Sequence, residues 1–450
     1  MTTKTVSRVP RSTFRCAECG DASPQWRGRC GGCGAWGSLV EVVAPARPVG
    51  DPVSVARPIG EVPAAGVARC ATGIDELDRV LGGGLTPGST TLLGGEPGIG
   101  KSTLLLQTLG HLAAGGHRCL LVGAEESPEQ VRHRAERLGV VHEGLWLVAE
   151  SSLPHVVAHV EAVRPTVVAI DSVQTLVDPD LPGVPGSVTQ VRECASRLTR
   201  LAREHATATV LVGHVTKDGS LAGPRQLEHV VDTVCSFEGD RHHGLRFLRT
   251  RKHRFGSTRE VGIFEMTESG LVPVPDASAL FLADRRDGGP GSAVAATVEG
   301  ARPLLVEVQA LVTPRDDGAR RVAAGVDGNR LSMLLAVLER HAGVDTRRSD
   351  VYASVAGGLR VAEPGVDLAV AAAVAGVAGD RVLAPRTVLI GEVGLGGEVR
   401  GVAHTALRVA EAARMGFTRV VGPRSLVAGP GVEVVAVDHV TEALAAAFAP

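Results

Sequence analysis

The chain carries the stretch Gly95-Glu96-Pro97-Gly98-Ile99-Gly100-Lys101-Ser102, which decides its fold and matches G-x-x-x-x-G-K-[ST] at every position. The apolar run from Ser89 to Leu93 before it predicts a buried strand, and Thr103 to Gln107 after it predicts an apolar helix. Between a strand and a helix, the backbone N–H groups of such a loop can surround a polyphosphate, and the helix N-terminus adds unpaired donors. We therefore predict that the chain binds a nucleoside triphosphate rather than carrying a chance glycine-rich turn.

Individual side chains around this loop have expected roles. Lys101 should reach the β- and γ-phosphates, and the Ser102 hydroxyl should ligate Mg²⁺, with Thr103 completing the nucleotide-binding set. Asp171 follows the apolar strand predicted from Thr166 to Ile170, about seventy residues after the loop. In that position its carboxylate is expected to order Mg²⁺ through the water shell of the ion.

Hydrolysis also needs a carboxylate that orients and activates the attacking water. Glu125 and Glu126 follow the strand predicted from Arg118 to Val122, and strand C-termini face the ligand crevice in parallel sheets. We favour Glu125 as the base and interpret Glu126 as a solvated or helix-capping residue. Surface charge at a loop is the alternative for both glutamates.

Length and charge exclude several classes of protein. At 450 residues the chain exceeds one ordinary domain, and its formal net charge of −2 excludes a global basic field, so any nucleic-acid surface must be local. The start, Met1 to Arg15, is polar and basic, and the longest apolar run, Val366 to Gly379, contains Asp367 and is too short to cross a bilayer. We expect a soluble, cytoplasmic protein with no membrane contact.

Four of the eight cysteines form two C-x2-C pairs near the start of the chain, Cys16 with Cys19 and Cys30 with Cys33. Four thiolates satisfy tetrahedral Zn²⁺ and leave no open position, which predicts a structural site rather than a catalytic one. The ten-residue spacing between the pairs is compatible with a compact, rubredoxin-like zinc ribbon over residues 1–42. Four unconnected thiols are the alternative.

The rest of the chain predicts an α/β organisation. Residues 43–66 are rich in Pro, Val and Ala without periodicity and are interpreted as a linker. Residues 67–275 alternate strands with helices, as a parallel-sheet domain requires, and Val230–Phe237 and Leu245–Thr250 are expected to be antiparallel strands that close the sheet. Residues 285–450 predict a second α/β or α+β domain, reached through a flexible joint at Asp284–Gly291.

A glutamate at the end of the strand after the loop's helix, rather than directly after Asp171, is typical of RecA-like ATPases. Further segments resemble the bacterial RadA (Sms) family of DNA-repair proteins, as do the four-cysteine ribbon and its Trp26 and Trp36. These segments are Gly213–Gly219, Ala222–Arg225, Leu227–His229 and Arg251–Gly256. Two residues depart from the family pattern: His253 replaces the Asn of its KNRFG signature, and Gly37 stands where Asn is usual.

This resemblance spans nearly the whole chain, and it implies a RecA-like P-loop core that hydrolyses ATP. It implies a DNA-dependent ATPase with helicase-like branch migration, acting in DNA repair and homologous recombination. Single-stranded and branched DNA, and a recombinase of the RecA type, are the implied partners. Similarity of the family to ring helicases of the DnaB type implies a homohexameric ring.

A local basic cluster stands out in this nearly neutral chain, with seven Lys or Arg between Arg241 and Arg259. On a strand, Lys252 and Arg254 would point to the same face. They could pair with DNA phosphates, reach the γ-phosphate held by a neighbouring subunit, or form a solvated basic strand. The resemblance implies the second role. His214 is expected beside the γ-phosphate as a sensor, with a purely structural histidine as the alternative.

Gly357–Arg360, Glu363–Pro364 and Asp367–Ala369 resemble the RadA version of the Lon proteolytic domain. Lon uses a Ser activated by a Lys, and the matching positions hold Asp367 and Ala406. Because no lysine follows Lys252, no such dyad can form, and this domain is predicted to be a proteolytically inactive scaffold. Six arginines are hypothesised DNA contacts, with solvated surface as the alternative: Arg330, Arg347, Arg348, Arg360, Arg386 and Arg400.

Two other functions compete with a DNA-dependent ATPase. An ATP-dependent protease is favoured by the Lon-like segment and opposed by the missing lysine. A signalling ATPase on a RecA-like core would share the nucleotide site. The zinc ribbon and the basic segment around Lys252 favour DNA over the signalling role.

Overall fold

The computed structural model describes residues 13–18, 21–23, 25–42, 58–61, 68–214, 225–239, 244–286, 288–315 and 318–448. Cys19, Lys217 and most of the predicted linker at 43–66 lie outside these ranges. The chain forms two compact units, Met1–Gly66 and Val67–Pro450.

The small unit contains a three-stranded antiparallel sheet. Its strands are β1 (Thr13–Cys16), β2 (Ala22–Ser23) and β3 (Leu39–Val42), in the order β2-β1-β3. Among the residues that the structure describes here, the buried cluster holds Cys16, Cys30 and Leu39, with Phe14 packed against them. A core of this size stabilises little by itself, which is why cysteine ligation is expected to hold such a module together.

The large unit begins with a nine-stranded sheet. Its strands are β4 (Thr90–Gly95), β5 (Cys119–Gly123), β6 (Leu145–Ala149), β7 (Val167–Asp171), β8 (Ala208–His214), β9 (Thr233–Glu238), β10 (Leu245–His253), β11 (Val261–Thr267) and β12 (Gly270–Pro273). Their order is β12-β11-β10-β9-β4-β8-β7-β5-β6. The strands from β9 to β6 are mutually parallel, whereas β10, β11 and β12 are antiparallel to their neighbours.

Helices cover both faces of the parallel part, because its strands are apolar on both sides. Leu93 belongs to the apolar cluster that also contains Leu104 and Val131. The adjacent Leu92 belongs to a second cluster, on the other face of the sheet. The helices of this part are α1 (Asp75–Val80), α2 (Lys101–Ala114), α3 (Pro128–Arg137), α4 (Leu153–Val163), α5 (Val188–His205), α6 (Arg225–Val230) and α7 (Ala277–Leu282). The P-loop parallel-sheet class predicted for this region is confirmed.

Two details of the prediction for this sheet were wrong. Thr233–Glu238 pairs in parallel with Thr90–Gly95 and only its other neighbour is antiparallel, while residues 225–230 form a helix. β6 was not predicted at all. It is an edge strand whose Trp146 and Leu147 are exposed, so it lacks the buried apolar run that marks the central strands.

A second, mixed seven-stranded sheet follows. Its strands are β13 (Ser292–Glu299), β14 (Arg302–Pro314), β15 (Arg321–Ala324), β16 (Ser349–Val355), β17 (Thr387–Leu389), β20 (Arg419–Pro423) and β21 (Glu433–Val437), while β18 (Glu392–Val393) and β19 (Val399–Arg400) form a separate hairpin. Its helices are α8 (Gly328–Ala342), α9 (Asp367–Ala378), α10 (Thr405–Arg414) and α11 (Val440–Ala447). α9 is almost wholly buried, which explains its lack of any polar face.

The two sheets share one apolar cluster, which includes Phe247 and Ile263 of the first and Val306 of the second. An ion pair reinforces this contact: Arg302 bonds Glu76 of α1, and both side chains are buried. A boundary between a domain at 67–275 and one at 285–450 stays a prediction. Among the described helices, none combines the length and apolar character that a membrane crossing requires.

Candidate nucleotide site and basic segment

The nucleotide site is built where neighbouring parallel strands end. Gly95, the last residue of β4, stands in register with His214 of β8 and Phe237 of β9. Gly123, the last residue of β5, stands in register with Asp171 of β7. The residues after these strands therefore converge on one edge of the sheet, as sheets of this type require.

Two glycines of the loop permit contacts that no other residue would allow. A Cβ at Gly95 would lie 2.6 Å from the carbonyl oxygen of Phe237. Gly100 has a φ of 117°, and a Cβ there would lie 2.6 Å from the Cε of Met266. The loop therefore rests closely on β9 and β11. α2 begins at Lys101, directly after Gly100.

Lys101 is 4% exposed and lies across its own loop. Its Nζ donates to the carbonyl oxygens of Gly95 (2.8 Å) and Glu96 (2.9 Å). Burial lowers the pKa of Lys101, while the nearby charges of Asp171 and Glu125 raise it. The ammonium group is thus held between the loop and the two carboxylates predicted to serve the reaction.

The two candidate bases have different partners. Glu125 accepts a hydrogen bond from the Oγ of Ser172, which is fully buried. Glu126 is bonded by the Nη2 of Arg134 on α3. Glu125 is the glutamate directed toward Asp171 and Lys101, whereas Glu126 is held in an ion pair with the helix that follows it.

Ser102, Glu125 and Asp171 line one cleft, as their predicted roles require. Its lining is Ser102, Leu105, Leu106, Leu121, Gly123, Glu125, Glu126, Val131, Arg134 and Asp171. One hydroxyl and two or three carboxylates supply the oxygen donors that Mg²⁺ prefers. The residues present therefore fit a nucleotide-bound magnesium ion.

Two residues that bond the glutamates of this cleft were not predicted, Ser172 and Arg134. Ser172 directly follows Asp171, so its place after the strand was visible, but only the fold shows that it meets Glu125. Arg134 sits eight residues after Glu126, on α3. The capping of that helix by Ser127 and Gln130 brings its second turn back over the glutamates.

The predicted sensor, His214, is placed only in part. Its backbone is the last residue of β8, in register with the first residue of the loop. Its side chain lies outside the described residues, as does the whole of Lys217. The sensor role stays a prediction.

Lys252 and Arg254 lie at the opposite edge of the sheet from the loop. β10 is antiparallel to β9, so Lys252 stands beside Val234, and the Arg254 N–H donates to the carbonyl of Asp232. The Asp232 N–H in turn donates to the carbonyl of Thr90, at the start of β4. The loop begins five residues later, about 16 Å away along an extended strand. Within one copy of the chain these cations are not part of the nucleotide site.

Both cations are instead bound to the last turn of α6 and the two residues that follow it. The Nζ of Lys252 donates to the carbonyls of Glu228 and Val231 (2.7 Å for the latter). Arg254 lies 3.3 Å from a carboxylate oxygen of Asp232. Burial and the charge of Arg254 lower the pKa of Lys252. β10 ends at His253, so Arg254 lies just beyond the strand on which both residues were expected to share a face. Lys252 satisfies carbonyls at the end of a helix.

His253, which stands where the family has Asn, makes two hydrogen bonds to neighbouring segments. Its Nε2 is 3.2 Å from the carbonyl of Leu81, and its Nδ1 is 2.9 Å from the Oγ1 of Thr233. A neutral ring with its proton on Nε2 satisfies both partners. Burial lowers the pKa of His253, and the charge of Arg69 acts in the same direction.

Three of the four predicted zinc ligands are brought together in the small unit. The Sγ atoms of Cys16, Cys30 and Cys33 lie within 4.8 Å of one another, and those of Cys16 and Cys33 are 3.6 Å apart. Thiolates on one tetrahedral zinc, with bonds of about 2.3 Å, lie about 3.8 Å apart. The described cysteines therefore fit such an ion, while Cys19 is outside the described residues.

The second sheet has no Ser–Lys pair at the Lon-like positions. Asp367 starts α9, is 2% exposed, and binds Arg330 and the Val393 N–H (3.1 Å). Ala406 is an exposed residue of α10. A buried, paired carboxylate is not a nucleophile poised for acyl transfer, which agrees with the predicted inactivity.

The six arginines hypothesised to contact DNA fall into two groups. Arg330, Arg347 and Arg400 are already paired with acidic side chains. Arg348, Arg360 and Arg386 are exposed. A contact of this domain with DNA stays a prediction, and only the second group offers guanidinium groups without an acidic partner among the described residues.

Two family models match the chain in the places where this geometry lies. A model described as an AAA domain matches residues 56–220, which include the loop, Glu125 and Asp171. A model described as a rubredoxin metal binding domain matches residues 14–41. The rubredoxin-like ribbon and the ATPase-type core predicted from the sequence are confirmed.

Curated relatives match over almost the full length. The chain is 48% identical to "DNA repair protein RadA" of Streptococcus pyogenes serotype M6, with 97% of this chain and 99% of that protein covered. It is 44% identical to the protein of the same name from Bacillus subtilis strain 168, with 96% and 98% covered. A solved KaiC-like protein of Pyrococcus horikoshii OT3 is 23% identical, covering 46% of this chain and 100% of that one, with a TM-score of 0.39.

Proposed function

The chain belongs to the RadA family of bacterial DNA repair proteins, and from that premise we propose that it is a DNA-dependent ATPase of repair and homologous recombination. Its substrates are ATP and DNA, with recombination intermediates processed by branch migration and strand exchange on single-stranded DNA. The observation that carries the ATPase part is the convergence of Ser102, Glu125 and Asp171 on the cleft beside the phosphate loop.

In this proposal the loop from Gly95 to Ser102 holds the triphosphate, and Lys101 moves from its backbone carbonyls to the β- and γ-phosphates. Ser102 would ligate Mg²⁺ and Asp171 would order its water shell, and the bound ion would supply neutralisation of charge on the phosphates. Glu125 orients and deprotonates the attacking water. His214, next to the loop through its backbone, senses the γ-phosphate.

The position of Lys252 and Arg254 supports a site shared between subunits. Within their own chain both side chains are directed away from the loop, because Lys252 binds the carbonyls of Glu228 and Val231 and Arg254 binds Asp232. A neighbouring subunit in a closed ring could receive them at its γ-phosphate, where cations stabilise the transferring group. We therefore place both residues at a subunit interface of a homohexamer.

The remaining parts have supporting roles. Zn²⁺ on Cys16, Cys19, Cys30 and Cys33 stabilises the ribbon, since the described thiolates fit it. The Lon-like part, residues 285–450, is a proteolytically inactive scaffold for ring assembly. A recombinase of the RecA type is the proposed protein partner.

ATP turnover with and without single-stranded DNA tests the proposal. We expect DNA to stimulate turnover, with binding that weakens as salt rises. Lys101→Ala should abolish turnover, whereas Arg132→Ala, which breaks only an exposed ion pair on α3, should not. Equal turnover with and without DNA would overturn the DNA-dependent part, and casein cleavage would overturn the assignment of an inactive second domain.

A further inference from the structure

Two of the three tryptophans of this chain lie on the metal-binding ribbon with most of their surface in solvent. Trp26 is 60% exposed and Trp36 is 77% exposed. Neither of them packs in the described buried cluster of the ribbon, where Phe14 packs against the buried cysteines. A small unit with little apolar surface to bury has thus left its two largest side chains outside its core, and large exposed aromatic surfaces mark binding sites.

Trp36 is exposed but held in place. Arg29 and Trp36 are partners in an antiparallel bridge, and the Gly37 N–H donates to the carbonyl of Gly28 (2.9 Å). A Cβ at Gly28 would lie 3.5 Å from the Trp36 ring, so the ring rests on the bare backbone of that glycine. The backbone bridge and the contact with Gly28 restrict where the indole can lie, and such restriction lowers the entropic cost of binding.

A cationic group lies over the ring. The guanidinium of Arg29 lies 5.9 Å from the centroid of the Trp36 ring, and its Nε donates to the carbonyl of Gly34 (2.9 Å). Arg27 is exposed and sits between Trp26 and Gly28 in the sequence. Among the described residues neither arginine is paired with a carboxylate, so both charges are available to an anionic ligand.

An aromatic plane next to unpaired arginines fits one ligand chemistry. Unpaired bases stack on indole rings, and the phosphates between them pair with guanidinium groups. A base inside a duplex is already stacked and does not offer its face. A protein surface would use the rings but would not need two cations without carboxylate partners, so the charges favour nucleic acid.

We propose that Trp36 and the Arg29 guanidinium over its ring form a stacking site on the ribbon for the unpaired bases of single-stranded nucleic acid, with the exposed Trp26 and Arg27 of the same ribbon as further contacts. It is a second nucleic-acid site, separate from the ATPase unit, and it rests on the proposed function only in taking DNA as the natural strand. The ribbon would hold single strands without reading their sequence, since every base has a face that can stack.

Intrinsic fluorescence can report on this site in the full-length protein. Trp146→Phe leaves Trp26 and Trp36 as the only tryptophans, because the chain contains three. Adding a single-stranded oligothymidylate without nucleotide should quench their emission, and the equivalent duplex should not. Oligouridylate in place of oligothymidylate distinguishes RNA from DNA as the better ligand.

Substitutions on this background test each part of the site. Trp36→Ala should weaken oligothymidylate binding about 5- to 150-fold, the range for losing one stacked base, while Trp36→Phe should restore most of the affinity. Arg29→Gln should weaken binding and reduce the salt slope by about 0.7, as for one lost phosphate contact on a single strand. Val40→Ala changes another exposed apolar residue of the ribbon and should have no effect.

Zinc content per chain shows whether the ribbon of each variant is still folded. If Trp36→Ala loses zinc, the affinities of Trp36→Phe and Arg29→Gln for oligothymidylate test the site instead. The proposal is wrong if zinc-loaded Trp36→Ala binds as tightly as its parent, or if only a protein quenches the tryptophans. If DNA stimulates ATP turnover but does not quench the tryptophans, the stacking site is wrong and the proposed function is unaffected. If DNA quenches the tryptophans but does not stimulate turnover, the stacking site is supported and the DNA-dependent ATPase is wrong.

Discussion

Ser172 donates a hydrogen bond from its Oγ to the Oε1 of Glu125, and so connects the end of one strand to the end of the next. The donor is fully buried, and it directly follows Asp171. The hydroxyl bonds Glu125, the glutamate directed toward Lys101 and Asp171. The adjacent Glu126 forms an ion pair with Arg134 instead. This relationship makes the roles of Glu125 and Glu126 separable by experiment.

Glu125→Gln should reduce ATP turnover by about 10²- to 10⁴-fold, the usual contribution of a general base, because the amide cannot accept a proton from water. Affinity for ATP should stay near that of the parent, since the phosphate loop is intact. Glu126→Gln, the matched control, should change turnover only a few-fold. The assignment fails if the two variants exchange these behaviours in steady-state kinetics.

Ser172→Ala should lower kcat about tenfold while leaving the KM for ATP unchanged, because it removes a hydrogen bond to a charged group without touching the nucleotide. Steady-state kinetics with a binding measurement separates the two constants. If kcat is unaffected, Glu125 is positioned by something other than this hydroxyl. A parallel loss of ATP affinity would indicate a structural defect in the cleft.

Mixed rings test whether Lys252 acts across a subunit boundary. Lys252→Ala and Lys101→Ala subunits should each be inactive alone. An equal mixture should recover activity at about one quarter of the interfaces, where an intact loop meets an intact lysine. Arg251→Ala, a change at the preceding exposed residue, should stay active by itself. Mixed rings that form but show no turnover would mean that Lys252 only caps its neighbouring helix.

The stability of the turn around His253 should depend on pH. Burial lowers the pKa of this imidazole in the folded chain below its value of about 6.5 in the unfolded chain. Its contribution is therefore present above pH 6.5 and is lost as the pH falls from there through the folded pKa. Between pH 7.5 and 5.5, Tm of the parent should fall further than Tm of His253→Asn. An equal fall in both proteins would contradict this account.

The contact between the two sheets should depend on the buried pair of Arg302 and Glu76. Arg302→Met should lower the free energy of unfolding by about 3–5 kcal/mol, because it leaves the Glu76 carboxylate buried without its cation. Arg424→Met removes an exposed pair and should cost about 0–1 kcal/mol. Denaturant unfolding of both variants measures the difference. Similar small losses would show that Arg302 is not needed to join the sheets.

Much of the nucleotide site could be predicted because its parts are local. The loop between a strand and a helix, and the strand before Asp171, each depend on residues that are close in sequence, and both are found as expected. The edge strand β6 was missed because its exposed Trp146 and Leu147 do not show the pattern of a buried strand. Ser172 was missed because its partner is 47 residues away.

By itself the sequence determined which chemistry is available. The glycine loop, the paired cysteines and the absence of lysine after Lys252 are properties of composition and short spacing, and they need no fold to be read. The tertiary structure alone decided where that chemistry meets. Antiparallel pairing of β10 with β9 carries Lys252 to the edge away from the loop, because reversing a strand exchanges its two ends. Direction of pairing is set by contacts between distant segments, which no short stretch of sequence contains.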